Sequence, residues 1–216
     1  MVFLDMIEVI PSINSPTFEE VREKIKLIEP HVQWCHLDVT DGVFSNHLTW
    51  HNPADLPLLD TKLKAEVHLM VENPEKYIGQ WLISPIKRII VHLEAVKDLD
   101  FIIQKCREAD VEIGLSIKPD TSWEKIKPWF GRVDLIHVLA VNPGPSGQKM
   151  AEETLDKVQH LRANCPDCQI EIDGGVNLEN LDRLERAGAN MLVVGGAIFN
   201  SPNPIEELTK FIPTPS

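Results

Sequence analysis

From one end of the chain to the other, short runs rich in β-branched residues alternate with stretches whose apolar positions recur at helical spacing. The pattern predicts strands over Ile7–Ile10, Trp34–Val39, Lys64–Val71, Arg88–Leu93, Glu112–Ile117, Leu135–Val141, Ile170–Asp173 and Met191–Val194. Between them it predicts helices, among them Thr17–Glu29, Pro74–Leu82, Leu99–Ala109, Ala151–Ala163 and Leu178–Ala187. In the first of these, Phe18, Val21, Ile25 and Ile28 fall on one face, as a helix packed on a sheet requires. Asn177 is placed to cap the start of the last helix and Gly188 its end.

Strand–helix repetition implies parallel strands, because each crossover must carry the chain back along the sheet. Eight such units predict a single α/β domain over residues 1–216, a closed (β/α)8 TIM barrel. A doubly wound open sheet is the competing arrangement, but no G-x-G-x-x-G follows the first strand. The tail Pro213–Ser216 is expected to be loose.

The net charge of -12 argues against nucleic acid as a partner, since phosphate neutralisation needs a basic surface. It does not exclude a small phosphorylated ligand, which backbone N–H groups can bind inside an acidic protein. The chain lacks an apolar run of the roughly 18 residues that a membrane span needs. Asp5 and Glu8 stand where a secretory leader would be basic or apolar, so a cytoplasmic location is expected. Four cysteines are too few for a disulfide scaffold. Cys165 and Cys168 form a lone C-x-x-C, a weak signal for metal or redox chemistry, while Cys35 and Cys106 read as buried small hydrophobes.

Chemistry collects at the ends of the predicted strands, the face on which barrels of this kind carry their active sites. With a period of two, His36, Asp38 and Thr40 point one way on the second strand, Glu66, His68 and Met70 on the third, and Glu171 and Asp173 on the seventh. If these sides face inward, His36, Asp38, His68 and Asp173 converge on one volume. Two imidazoles and two carboxylates suit zinc, iron(II) or manganese(II), with one divalent ion expected per chain. Glu66 and Glu171, one step deeper, are placed to hold the imidazoles. Three glycine-bearing turns follow late strands: Asn142 to Gln148, Asp173-Gly174-Gly175 and Val194-Gly195-Gly196. Turns of that kind after the last strands are where barrels commonly bind phosphate.

Several segments, taken together and in order, carry a family resemblance. They are Pro11-Ser12-Ile13, His36 to Phe44, Val67 to Val71, His92-Leu93-Glu94, Val141 to Gln148, Ile172 to Val176 and Gly195 to Phe199. The chain resembles the ribulose-phosphate 3-epimerase family from roughly Ile10 to Asn200. The resemblance implies a ribulose-phosphate-binding barrel with one divalent metal held by His36, Asp38, His68 and Asp173. It implies that Asp38 and Asp173 are the acid/base pair and that Ser12 and His68 line the substrate pocket. Gly144, Gly147, Gly175, Gly195 and Gly196 would form the phosphate cradle.

The implied activity is epimerisation of a ketose phosphate beside its ketone, ribulose 5-phosphate first among them. The alternatives are another ketose phosphate or a sugar-phosphate-binding barrel without catalysis. Family members commonly associate, so a homo-oligomer is expected.

The chain departs from the family where Thr40 and Leu139 replace methionines, where Pro145-Ser146 replaces Phe-Gly, and where Asn14 and Lys118 replace Leu and Asn. Thr40 is expected directly above Asp38, with its hydroxyl toward the substrate. Lys118, at a strand end, also permits an imine-forming aldolase reading.

Overall fold

The computed structural model of the protein describes residues 7–212. Eight strands form a closed barrel in sequence order: β1 (Glu8–Ile13), β2 (Trp34–Thr40), β3 (Lys64–Met70), β4 (Ile86–His92), β5 (Glu112–Ile117), β6 (Leu135–Leu139), β7 (Ile170–Asp173) and β8 (Met191–Val194). Every neighbouring pair is parallel, and β8 closes on β1 with Ile10 opposite Val193. The helices are α1 (Phe18–Ile28), α2 (Ile78–Trp81), α3 (Leu99–Glu108), α4 (Thr154–Asn164), α5 (Leu181–Ala187), α6 (Gly196–Phe199) and α7 (Pro204–Phe211).

Strand alternation sorts apolar side chains into two layers. Leu37, Val67, Leu115 and Ile172 pack outward with Ile25, Ile102 and Leu161 of the helices. Inside the barrel, Ile10, Ile90, Leu135 and Met191 form a separate plug, closed by Trp34. Gly114 of β5 makes room for that plug. A Cβ there would lie 2.9 Å from Cγ1 of Ile90 and 3.3 Å from Cδ2 of Leu135. On the N-terminal side of the plug Arg88 of β4 is also inside the barrel, held by Glu66 and Glu112 and lying over Trp34, so polar residues flank the plug on both sides.

Several boundaries differ from the sequence pattern. β1 runs on through Pro11 and Ser12, because Pro11 lacks only a donor and still pairs in register with Val194 of β8. Pro74–Leu82 divides into a 3-10 turn at Pro74–Lys76 and the one-turn helix α2. α4 begins at Thr154 rather than Ala151, and α5 at Leu181 with Asn180 at its N-cap. Asn177 instead closes a tight turn, its Oδ1 accepting from the backbone N–H groups of Glu179 and Asn180. Gly188 is the C-cap in a left-handed conformation with φ of 112°. A 3-10 helix at Trp123–Trp129, α6 and α7 are elements the periodicity did not single out.

Cys165 and Cys168 form a disulfide, because the turn after α4 holds their Cα atoms 5.4 Å apart. The pair precedes β7, away from the strand ends that carry the polar residues. Cys35 and Cys106 are free and buried, as expected. Among the described residues no helix is long and apolar enough to cross a membrane. The tail Pro213–Ser216 lies outside the described residues.

Candidate active site and metal centre

Strand register brings the predicted residues together. His36 pairs with Ser12 on one side and Glu66 on the other, and Asp38 pairs with His68. Asp173 stands opposite Leu139 on one side and Val193 on the other. His36 and His68 are fully buried, while Asp38 and Asp173 reach the floor of a cavity of about 310 Å³ at the barrel mouth.

Four carboxylate–imidazole approaches define the centre. Oδ1 of Asp38 lies 3.4 Å from Nε2 of His36 and 3.5 Å from Nδ1 of His68. Oδ2 of Asp173 lies 3.9 Å and 3.3 Å from the same two nitrogens. Two ligands about 2.1 Å from one tetrahedral ion are themselves about 3.4 Å apart. These separations fit donors sharing an ion better than donors bonded directly to each other.

The outward-lying hydrogen bonds set the tautomers. Nδ1 of His36 donates to Oε1 of Glu66 at 2.7 Å, and Glu66 is held in turn by Nη1 of Arg88 at 2.6 Å. On the other side Nδ1 of His92 donates to Oε2 of Glu94 at 3.2 Å. The remaining nitrogen of a neutral His92 then accepts from Nε2 of His68 at 2.8 Å. Both chains leave a lone pair at the centre, and Nε2 of His36 and Nδ1 of His68 are buried there with no hydrogen-bond partner. A buried orphan nitrogen is costly, and a bound cation relieves it. The donor set therefore fits a divalent transition ion.

Without a bound cation the same imidazole nitrogens can instead carry a proton toward the carboxylates, and the charge states follow from that. Burial opposes ionisation of Asp38, yet the His36 and His68 imidazoles hold its pKa down to about 2. Burial likewise opposes Asp173, and His137 and His68 hold it well below the usual carboxylate range. His36 is raised well above the ordinary imidazole value, the Asp38 and Glu66 carboxylates outweighing its burial. His92 is pushed down to about 3 by burial, which keeps it neutral in its relay. Glu171 is raised well above the ordinary value by burial and by the nearby Glu66 charge.

Ser12 lines the cavity, and its hydroxyl donates to Oδ2 of Asp38 at 2.8 Å. Gly144, Gly147, Gly175, Gly195 and Gly196 all line the same cavity. Gly175, with φ of 70°, has no room for a side chain, since a Cβ would lie 2.3 Å from the backbone nitrogen of Met150. The loops after β6 and β7 can therefore meet there.

His68 is not part of the lining. Its ring is stacked on that of His92, centroids 4.9 Å apart, and it meets Asp38 and Asp173 through Nδ1 alone. Thr40 also departs from expectation. It is fully buried, with Oγ1 3.4 Å from Oγ1 of Thr49, and does not line the cavity, whereas Met70 and Leu139 do. Lys118 lies over the Phe44 ring, 4.7 Å from its centroid, and is not among the lining residues, so the imine reading finds no support.

Sequence reasoning missed His137. Its Nε2, with donor atoms of His36, His68 and Asp173, belongs to a buried group lying within 4.8 Å of one another. The signal was available, because His137 stands two residues before Leu139 on the same strand face.

The family model described as "Ribulose-phosphate 3 epimerase family" matches residues 8–199. Ribulose-phosphate 3-epimerase of Synechocystis sp. is 36% identical over 212 residues, covering 94% of this chain and 91% of that protein. The enzyme of the same name from Bacillus subtilis is 36% identical over 203 residues, covering 90% and 93%. Among solved structures, a mutant tryptophan synthase alpha-subunit from Pyrococcus furiosus superposes with a TM-score of 0.73 at 13% identity, over 94% of this chain and 95% of that one. Orotidine 5'-phosphate decarboxylase from Pyrococcus horikoshii superposes with a TM-score of 0.68 at 13% identity, over 94% and 96%. At such identities these structures speak to the barrel fold alone.

Proposed function

This chain belongs to the ribulose-phosphate 3-epimerase family and is an isomerase of that kind, and from that premise we propose that it inverts the carbon beside the ketone of ribulose 5-phosphate, giving xylulose 5-phosphate. The observation that carries the reading is the pair Asp38 and Asp173. They stand on non-adjacent strands, both reach the cavity floor, and both contact the same two buried imidazoles.

Inversion beside a ketone needs a proton removed from one face of a carbon and one returned to the other. In one direction Asp38, as carboxylate, takes the proton, and Asp173, ionised at rest, first takes up a proton and, as the transient carboxylic acid, delivers it to the opposite face. The reverse reaction exchanges the roles. Each turnover leaves the pair with its proton on the other carboxyl, and transfer between them or with water resets it. Ser12 orients Asp38 by holding Oδ2, which leaves Oδ1 toward the imidazoles. Met70 and Leu139 present apolar surface to the cavity and limit water at the reacting carbon.

His36, Asp38, His68 and Asp173 would hold one divalent transition ion. When bound, that ion supplies Lewis-acid stabilisation of the negative charge that develops on the substrate oxygens. The phosphate end is assigned to the wall formed by Gly175, Gly195 and Gly196. There the first N–H groups of α6 have no intrahelical acceptor.

The test is incubation with ribulose 5-phosphate in heavy water. Deuterium should enter at the carbon beside the ketone as xylulose 5-phosphate accumulates. Product without label, or neither, overturns the reading.

A further inference from the structure

We propose that His137 is a third imidazole ligand to the ion at this centre, an inference that rests on the metal reading above and extends its ligand set.

His137 sits on β6, one strand away from Asp173 on β7, and is fully buried. Its Nδ1 lies 2.9 Å from the hydroxyl oxygen of Ser116 on β5. Its other nitrogen, Nε2, is buried without a hydrogen-bond partner, as are Nε2 of His36 and Nδ1 of His68. Three orphan imidazole nitrogens in one closed volume are hard to reconcile with a merely structural core.

The separations decide what kind of partner is wanted. Nε2 of His137 lies 3.6 Å from Oδ2 of Asp173 and 3.6 Å from Oε1 of Glu171, too far for either to be a hydrogen bond. Donors on one ion at about 2.1 Å stand about 3.4 Å apart at the tetrahedral angle, and no more than about 4.2 Å apart when opposed. The distance from His137 to Asp173 falls in that range, as does the 3.9 Å from Asp173 to His36, and the 3.3 Å to His68 lies at its lower edge.

Ser116 completes the argument as a positioning residue. If Nδ1 of His137 donates to the serine oxygen, the Nε2 lone pair is directed at the centre. If the serine donates instead, Nε2 carries a buried hydrogen whose nearest acceptors, Oδ2 of Asp173 and Oε1 of Glu171, stand 3.6 Å away, beyond hydrogen-bond reach, so the first arrangement is the one an ion selects. The packing supports the same pose, the His137 and His68 rings having centroids 4.4 Å apart.

Three imidazoles alongside carboxylates favour zinc, cobalt or iron(II) over the harder manganese and magnesium ions, which prefer oxygen. The site should accordingly bind zinc far better than manganese.

The experiment uses full-length protein carrying 15N-labelled histidine, stripped with a chelator and reloaded with cadmium as an NMR-active probe. Cadmium–nitrogen coupling should appear at Nε2 of His36, Nδ1 of His68 and Nε2 of His137. In parallel, zinc affinity measured by competition should fall in His137→Leu on the order of a hundredfold or more. That is at least the upper end of what losing a hydrogen-bonding partner of a ligand costs. Coupling at His36 and His68 but not at His137 overturns the inference while leaving the metal reading intact. Failure of the wild-type protein to take up either ion removes the metal reading, and the inference with it. Should His137→Leu not fold, the coupling pattern of the wild-type protein decides alone.

Discussion

The side-chain amide of Asn14 donates to the carbonyl oxygen of Gly144 at 3.2 Å, tying the end of β1 to the loop after β6 across 130 positions of sequence. The same amide nitrogen lies 3.4 Å from Oδ2 of Asp38, and Nε2 of His47 meets Oδ1 of Asn14 at 2.9 Å. One half-buried residue thus connects an assigned acid/base carboxylate to two loops at the barrel mouth. The expected effect of Asn14→Ala is looser closure of the 142–148 loop rather than damage to the chemistry. Net hydrogen bonds of about 1 kcal/mol each correspond to a rise in KM of roughly threefold to tenfold, with kcat and metal content nearly unchanged. Hydrogen exchange should quicken at residues 142–148. Unchanged exchange there, or a fall in kcat that exceeds the rise in KM, would count against the tie.

Asp173→Asn separates the acid/base role from the ligand role. The amide cannot carry the proton, so turnover should drop by a factor of about a hundred or more, the scale of losing a general acid or base. Asp38 remains, and the variant should still exchange the substrate proton handled from that face. Metal content must be measured on the same preparation, because Asp173 meets the imidazoles through Oδ2. Near-wild-type turnover in a metal-loaded variant contradicts the two-carboxylate assignment.

Much of this site was legible before any coordinates. A period of two along β2, β3 and β7 was enough to put His36, Asp38, His68 and Asp173 on one interior surface, because a barrel offers no other interior. The same rule applied to β6 would have found His137, which was overlooked because the strand was read for Leu139 alone. Other features depend on contacts distant in sequence. Thr40 faces inward by its period, yet Thr49 draws it in: the Thr49 hydroxyl donates to the carbonyl of Asp38 at 2.7 Å and accepts from the Thr40 N–H at 2.9 Å. No local pattern announces that bond. Cys165 and Cys168 illustrate a different limit, since C-x-x-C spacing is equally compatible with metal, redox or a local staple. Their place before β7, away from the strand ends, implies that replacing both with serine leaves metal content unchanged.

Lys157 clamps the β5 end of the barrel from α4. Its buried ammonium donates to the carbonyl oxygens of Lys118, Pro119 and Thr121 at 2.9, 2.8 and 2.8 Å. Burial lowers its pKa from the ordinary lysine value, but those oxygens are the only protein acceptors within its reach among the described residues. Lys157→Met keeps the aliphatic stem and removes the charge, leaving three carbonyls without their donor. The expected cost is about 3 kcal/mol. For a chain of this size that is a fall in Tm of roughly 6–12 °C, measurable by calorimetry. A change below 2 °C would mean that water replaces the ammonium at no cost.

Glu94 braces the same 118–121 segment from the other side and gives the fold a definite acid response. Oε1 accepts from the backbone N–H of Lys118 at 2.9 Å and from the Thr121 hydroxyl, and Oε2 accepts from Nδ1 of His92 at 3.2 Å. Burial opposes its ionisation, but the His92, Lys118 and Thr121 donors outweigh that and hold its pKa at about 2. A carboxylate whose folded pKa lies below its unfolded value contributes stability that is complete above the unfolded value, near 4.5. That contribution is lost as pH falls toward 2. His92, pushed down to about 3 by burial from an unfolded value near 6.5, adds a slope of the same sign between those values, which wild type and variant share. The Glu94 side chain is 20% exposed, so solvent screening reduces its contribution to about 1 kcal/mol. Glu94→Gln keeps one oxygen, enough for the Lys118 N–H and the Thr121 hydroxyl, sets its amide NH2 against Nδ1 of His92, and cannot titrate. Urea unfolding should therefore find the variant about 1 kcal/mol less stable than wild type at pH 7 and roughly half that at pH 3, the difference closing toward pH 2. The gap should close mainly below pH 4.5, as the unfolded carboxyl takes up its proton. A gap of constant size from pH 7 to pH 3 would show that packing of the side chain, rather than its charge, carries the effect.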